Sequence, residues 1–155
     1  MVAASEKSHA VIGVNHLGIA VRSIAMERNY YETVLCAEFE GVEDVPEQKV
    51  RVAFFRIGGP HGLRLELLEP TSDDSPVAAF LEKRGPGIHH VALAVENIAA
   101  SLDAMRAAEV RLIDEAPRLG AHAAQIAFLN PKSTGGVLTE LCQTAESHEP
   151  NEVSI

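Results

Sequence analysis

Cysteine is scarce in this chain. Cys36 and Cys142 are the only two among 155 residues, and they form no C-x-x-C pair. Two distant thiols exclude a disulfide-built scaffold and fit a reducing cytoplasm. Long apolar runs are also missing: none approaches the roughly 18 residues that span a bilayer, so no membrane is expected as a partner. The N-terminal MVAASEKSHA lacks an apolar centre and carries one Lys, so neither a signal nor a transit peptide is expected. Cations are in the minority, with 13 Lys and Arg against 22 Asp and Glu and a formal charge of -9. A general nucleic-acid binder carries a basic face, so nucleic acid is not an expected partner. An anionic small ligand stays possible, because a few placed cations or a metal dominate the local field.

Apolar residues make up 46% of the chain, enough for a substantial core. The length suits one domain, or two small halves that share an interior. The sequence favours the second arrangement, because it repeats. NHLGIAVRSIA at 15–25 returns as HHVALAVENIA at 89–99, an offset of 74. His16 then matches His90, and LRLELL at 63–68 matches VLTELC at 137–142, so that Glu66 matches Glu140.

The alternating, β-branched stretch 13–21 reads as a strand, and Ser23 opens a helically spaced run through Leu35. Strands follow at about 49–57 and 62–68, divided by Gly58-Gly59-Pro60. The second half gives a strand at about 88–95, a helix at about 98–108 capped near Asn97, and strands at about 110–113, 123–129 and 136–142. Between them a short helix starts at Ser75-Pro76 and stops at Gly85-Pro86-Gly87. The expectation is an α+β fold. Two pseudo-symmetric βαβββ modules, about 13–70 and 87–143, curl their sheets around a metal-containing cleft within one domain at 13–143. Residues 1–12 and 144–155 are expected as flexible termini.

Strand alternation places His16, Gly18 and Ala20 on one face, opposite Leu17, Ile19 and Val21. It likewise groups His90, Ala92 and Ala94, with His89 on the other, outer face. Both histidines therefore share faces with small residues that leave room for a cleft. Two imidazoles and two carboxylates suit a divalent transition metal: Zn, Co, Ni, Mn or Fe(II). Without a cation, two inward glutamates would repel and lack partners. The competing structural account makes the glutamates solvated, or paired with Arg64 or Arg22. His9, His61 and His148 read as solvated, His122 as bordering the cleft, and the cysteines as packing residues.

These features resemble the vicinal oxygen chelate superfamily, and within it the methylmalonyl-CoA epimerase family. The resemblance runs from about Val14 to Gln143. It is carried by NHLGIAV, VPEQKVRVAFF, LELLEP, DSPVAAFLEKRGPGIHHVALAV and, most specifically, DEAPRLGAHAAQIAFLNPKSTGGVLTEL. It implies His16, Glu66, His90 and Glu140 as metal ligands and one divalent metal per chain, cobalt first, with zinc, manganese or nickel as alternatives. It also implies an acyl-CoA substrate, a homodimer and inversion at the carbon between thioester and carboxylate. Two-sided proton transfer needs an acid/base group on each face of a planar intermediate. Some relatives have Gln at the position of Glu66 and a catalytic Glu at that of Val52. Here Glu66 and Glu140 are the expected catalytic pair, with Glu43 and Glu47 behind them. Asn130 stands where relatives often have His. Lys132 and Arg118 are the expected contacts to coenzyme A phosphates. The alternatives are a glyoxalase-type isomerase acting on a thiol adduct and a non-catalytic binding protein of the same fold. An Fe(II) ring-cleaving dioxygenase would normally leave one of the four ligand positions empty, whereas all four are filled here.

Overall fold

In the computed structural model, which describes residues 9–145, the chain forms eight strands and three α-helices. The first module is β1 (Val11–Ala20), α1 (Ile24–Asn29), β2 (Glu38–Val45), β3 (Val50–Ile57) and β4 (Leu63–Pro70). Helix α2 (Pro76–Arg84) connects it to β5 (Gly87–Val95), α3 (Ile98–Ala107), β6 (Arg118–Leu119), β7 (Gln125–Leu129) and β8 (Thr139–Gln143). All strands join one mixed sheet in the order β2-β3-β4-β1-β5-β8-β7-β6, curled into a half-barrel. Each half reads identically outward from the centre. β1 pairs parallel to β4 and β5 parallel to β8, and the halves meet where β1 and β5 run antiparallel.

The helices follow their local signals. Ser23 accepts from the Met26 amide, Ser75 from Val77 and Asn97 from Ala100. Pro76 opens α2 and Gly85, at φ 71°, ends it. The run after Ser23 is α-helical only to Asn29, continues as a π-turn over Tyr30–Val34, and stops at Cys36, which holds a left-handed φ of 53°. Cys36 is exposed there, so it is not the packing residue expected, whereas Cys142 is buried.

Alternation sorts the core into two faces. Ala53, Phe55, Leu65 and Leu67 pack outward with Ile24 of α1, and Ala127, Leu129 and Leu141 pack with Ile98 and Leu102 of α3. The inner face carries Val52, Phe54 and Leu68 against Val77 and Leu81 of α2, then Ala92, Ile126, Phe128 and Cys142.

Further elements differ from expectation, among them the short strand β6 at Arg118–Leu119, which lies outside the expected strands. Strand β2 escaped notice because Glu38, Glu40, Glu43 and Asp44 make it look like a solvated loop. Gly41, at φ 123°, sits at the register shift that bends this edge strand. The strand expected at 110–113 shrinks to one bridge between Leu112 and Leu129. Strand β1 begins at Val11, inside the expected flexible segment 1–12. The remaining calls on the termini, His148 included, lie outside the described residues apart from short stretches at 9–10 and 144–145.

Candidate metal and acid–base site

The four side chains singled out by the repeat lie on the inner face beside the β1–β5 seam. His16, Glu66, His90 and Glu140 are all buried, at 4%, 7%, 4% and 3% exposure. Parallel pairing sets Gly18 against Glu66 in the first half and Ala92 against Glu140 in the second. His16 Nε2 lies 3.1 Å from His90 Nε2, 3.4 Å from Glu66 Oε2 and 3.8 Å from Glu140 Oε1. Glu140 Oε2 lies 3.5 Å from His90 Nε2. One ligand atom each from His16, His90 and Glu140 falls within 4.8 Å of the others. Glu66 joins this group through His16. The small residues expected beside the histidines have a steric reason: a Cβ on Gly18 would overlap the His90 imidazole.

Burial dominates the electrostatics of all four groups. Burial, aided by Arg64, lowers the His16 pKa to about 3. Burial and then the neighbouring His16 and His89 hold His90 well below its ordinary value. Burial raises Glu66 to about 7, with Arg64 opposing. Burial, and then Glu66, raises Glu140 well above the carboxylate range. Desolvation disfavours the charged form of each group, so it lowers the imidazoles and raises the carboxyls. Two nitrogen and two carboxylate donors fit a borderline divalent ion and supply the charge it needs.

The sheet offers two cavities that meet at His90, Leu68 and Gln48. The first, about 280 Å³, holds His16, Glu66 and Glu140 and is bordered by Val52, Arg64 and His122. The second, about 300 Å³, runs along Val77 and Phe128 to Lys49, His89 and Arg118. Arg64 does not pair with Glu66; it shares Glu40 with Arg56. His122 borders the first cavity as expected. It stacks on Phe54 at 4.1 Å, and its amide donates to Glu43 Oε2 at 3.0 Å. Glu47 lines the second cavity. Arg118 Nε lies 3.1 Å from Asp114 Oδ1, an ion pair whose angle falls outside hydrogen-bond geometry. Lys132 is exposed and lines neither cavity. Asn130 caps the turn before it, accepting from the Lys132 amide at 3.0 Å.

Two neighbours went unread in the sequence. Asn15 Oδ1 lies 2.8 Å from His16 Nδ1, and His89 Nδ1 lies 2.9 Å from His90 Nδ1. His89 is therefore not the outer-face residue expected. It turns inward, packs edge-on against Phe80 at 5.0 Å, and has its pKa lowered by burial to about 4. The offset of 74 that relates His16 to His90 also relates Asn15 to His89, and was the one available signal.

A profile of the glyoxalase/bleomycin resistance protein/dioxygenase superfamily matches residues 15–128, and the chain belongs to that superfamily. Its relatives narrow the family to the methylmalonyl-CoA epimerases. The ethylmalonyl-CoA/methylmalonyl-CoA epimerase of Cereibacter sphaeroides is 37% identical over 132 residues, covering 84% of this chain and 96% of the relative. An uncharacterised Bacillus subtilis protein, YqjC, is 46% identical over 140 residues, covering 90% and 98%. Among solved structures, a variant of the Streptomyces coelicolor methylmalonyl-CoA epimerase in complex with 2-nitronate-propionyl-CoA superposes with a TM-score of 0.83. It is 35% identical and covers 88% of this chain and 100% of that one.

Proposed function

We propose that this chain is a metal-dependent epimerase that interconverts the two epimers of methylmalonyl-CoA by proton transfer through a planar enolate. The observation that carries the reading is the buried group of His16, His90 and Glu140 with Glu66 alongside, in a chain of this family. A divalent cation held by these residues would supply the positive charge that stabilises an enolate oxygen. Cobalt is the first candidate, ahead of zinc, manganese and nickel.

The chain's own groups supply the proton traffic. Glu66 and Glu140 come from different modules, so an acyl group between them meets one carboxyl on each face. One takes the proton as carboxylate while the other, as acid, delivers its own to the opposite face; the two then exchange states through solvent. Burial raises both carboxyls, which favours the protonated form that each needs when it serves as the acid. Glu66 stands outside the three-way ligand group, which supports it as the freer base. Val52, buried at the first cavity, offers no carboxylate. Arg118, which lines the second cavity together with Lys49, supports an anion contact there, and Lys132 is a more distant phosphate contact. The exposed apolar side chains Ile12, Val14 and Ile88 along the seam support a homodimer, which sedimentation would read directly.

The deciding experiment follows one epimer of methylmalonyl-CoA in heavy water by NMR, with cobalt-loaded and chelated protein side by side. The expected result is deuterium uptake with inversion that depends on the metal. No exchange with any divalent ion would overturn the reading and turn attention to thiol adducts, the glyoxalase-type alternative, or to binding without turnover.

A further inference from the structure

Adjacent residues in a regular strand point to opposite faces, so the residue before a liganding histidine should be unable to touch it. Here both such residues do. The cause lies in the pairing of β1 with β5. Val14 faces Leu93 and His16 faces Ala92, which leaves Asn15 as an extra residue on β1. Further along, Gly18 faces His90 and Ile19 faces Ile88, which leaves His89 as an extra residue on β5. Besides a shift at Ile12, each half thus carries a β-bulge on the residue before its histidine. A bulge re-aims its side chain, here from the outer face toward the neighbouring imidazole.

From this we infer that Asn15 and His89 are equivalent positioning residues: each accepts the Nδ1 proton of the next histidine and so presents that ring's Nε2 lone pair to the metal. The inference rests on the metal reading of the site. A neutral imidazole that coordinates through Nε2 carries its proton on Nδ1, so Asn15 Oδ1 and His89 Nδ1, at 2.8 and 2.9 Å, are the acceptors. Such outer partners hold ring orientation and raise ligand basicity. The two halves meet one requirement with different chemistry, an amide oxygen in one and an imidazole nitrogen in the other. Packing against Phe80 fixes the His89 ring.

The test is cobalt affinity by chelator competition, with the absorption spectrum of the bound ion as a second readout. Asn15→Leu and His89→Phe remove the acceptor at similar volume and should each weaken binding about 10- to 100-fold and alter the cobalt spectrum. Asn15→Asp and His89→Asn retain an acceptor, the latter borrowing the solution of the first half, and should stay within about threefold of the parent by the same principle. Thermal unfolding without metal checks that all four fold. Parent-like binding by Asn15→Leu and His89→Phe would overturn the inference while leaving the metal site intact. Equal losses in His89→Asn and His89→Phe would also overturn it, showing that ring packing rather than the acceptor matters. A parent that binds no divalent ion would overturn both this inference and the proposed function.

Discussion

At the scale of the residue, the glutamates separate by what each touches. Glu140 approaches both histidines, whereas Glu66 approaches His16 alone. Glu140→Gln should therefore lose metal and epimerisation together. Glu66→Gln should keep most of the metal while epimerisation falls about 10²- to 10⁴-fold, the usual contribution of a positioned acid or base. Metal content and inversion rate measured on the same preparations distinguish the two. Near-full epimerisation by metal-loaded Glu66→Gln would remove it as a base. Gly18 makes a steric prediction. An added methyl would enter the His90 ring, so Gly18→Ala should weaken cobalt binding at least about tenfold and cost about 1–3 kcal/mol of stability, as overpacking does. A cobalt titration checks the first effect and urea unfolding the second.

At the scale of the element, what could be read from the sequence depended on whether a signal was local. Ser75-Pro76 and Gly85 bracketed α2 correctly because caps act within a turn. Asn97 is a similar case. Its side chain satisfies the Ala100 amide at 3.0 Å, so Asn97→Ala should cost about 1 kcal/mol. That corresponds to a fall of about 2–4 °C in melting temperature for a chain of this size, which calorimetry resolves. The His and Glu positions were legible because duplication wrote them twice at one spacing. Strand β2 was not, since its acidic edge is indistinguishable from a loop until β3 pairs with it. Asn15 and His89 were hidden for a different reason. Alternation assigns them to the outer face, and the bulges that reverse this arise from the register between β1 and β5, which neither strand specifies alone.

At the scale of the whole molecule, the buried groups make stability depend on pH in opposite senses. His16, His89 and His90 bind protons less readily in the folded chain than a free histidine, whose pKa is 6.5. Their contribution is lost as pH falls below 6.5, because the unfolded chain then takes up more protons. Glu66 and Glu140 bind protons more readily in the folded chain than a free glutamate, whose pKa is 4.5. Their contribution is present in acid and is lost as pH rises through about 7, the value to which Glu66 is raised. Metal-free protein should therefore be most stable in mildly acidic solution and decline on either side. A bound divalent ion favours ionised carboxylates and neutral imidazoles, so it should abolish the alkaline decline. Melting temperatures from pH 5 to 9, with cobalt or with chelator, check this. Stability that rises as steeply from pH 5 to 7 with chelator as with cobalt would contradict the raised carboxyls.

The approximate twofold that relates Glu66 to Glu140 has a kinetic consequence. For epimers that differ at one carbon of a large acyl-CoA, the equilibrium constant lies near unity. The Haldane relation then ties the two directions to nearly equal catalytic efficiency. In the proposed reaction, Glu66 and Glu140 would approach either handedness with the same kind of group from equivalent strand positions. The internal repeat thus suits the two-way demand that a near-unity equilibrium constant imposes. The halves differ in amide against imidazole behind the histidines, and in one histidine contact against two at the glutamates; these differences are where unequal kcat values in the two directions would be sought.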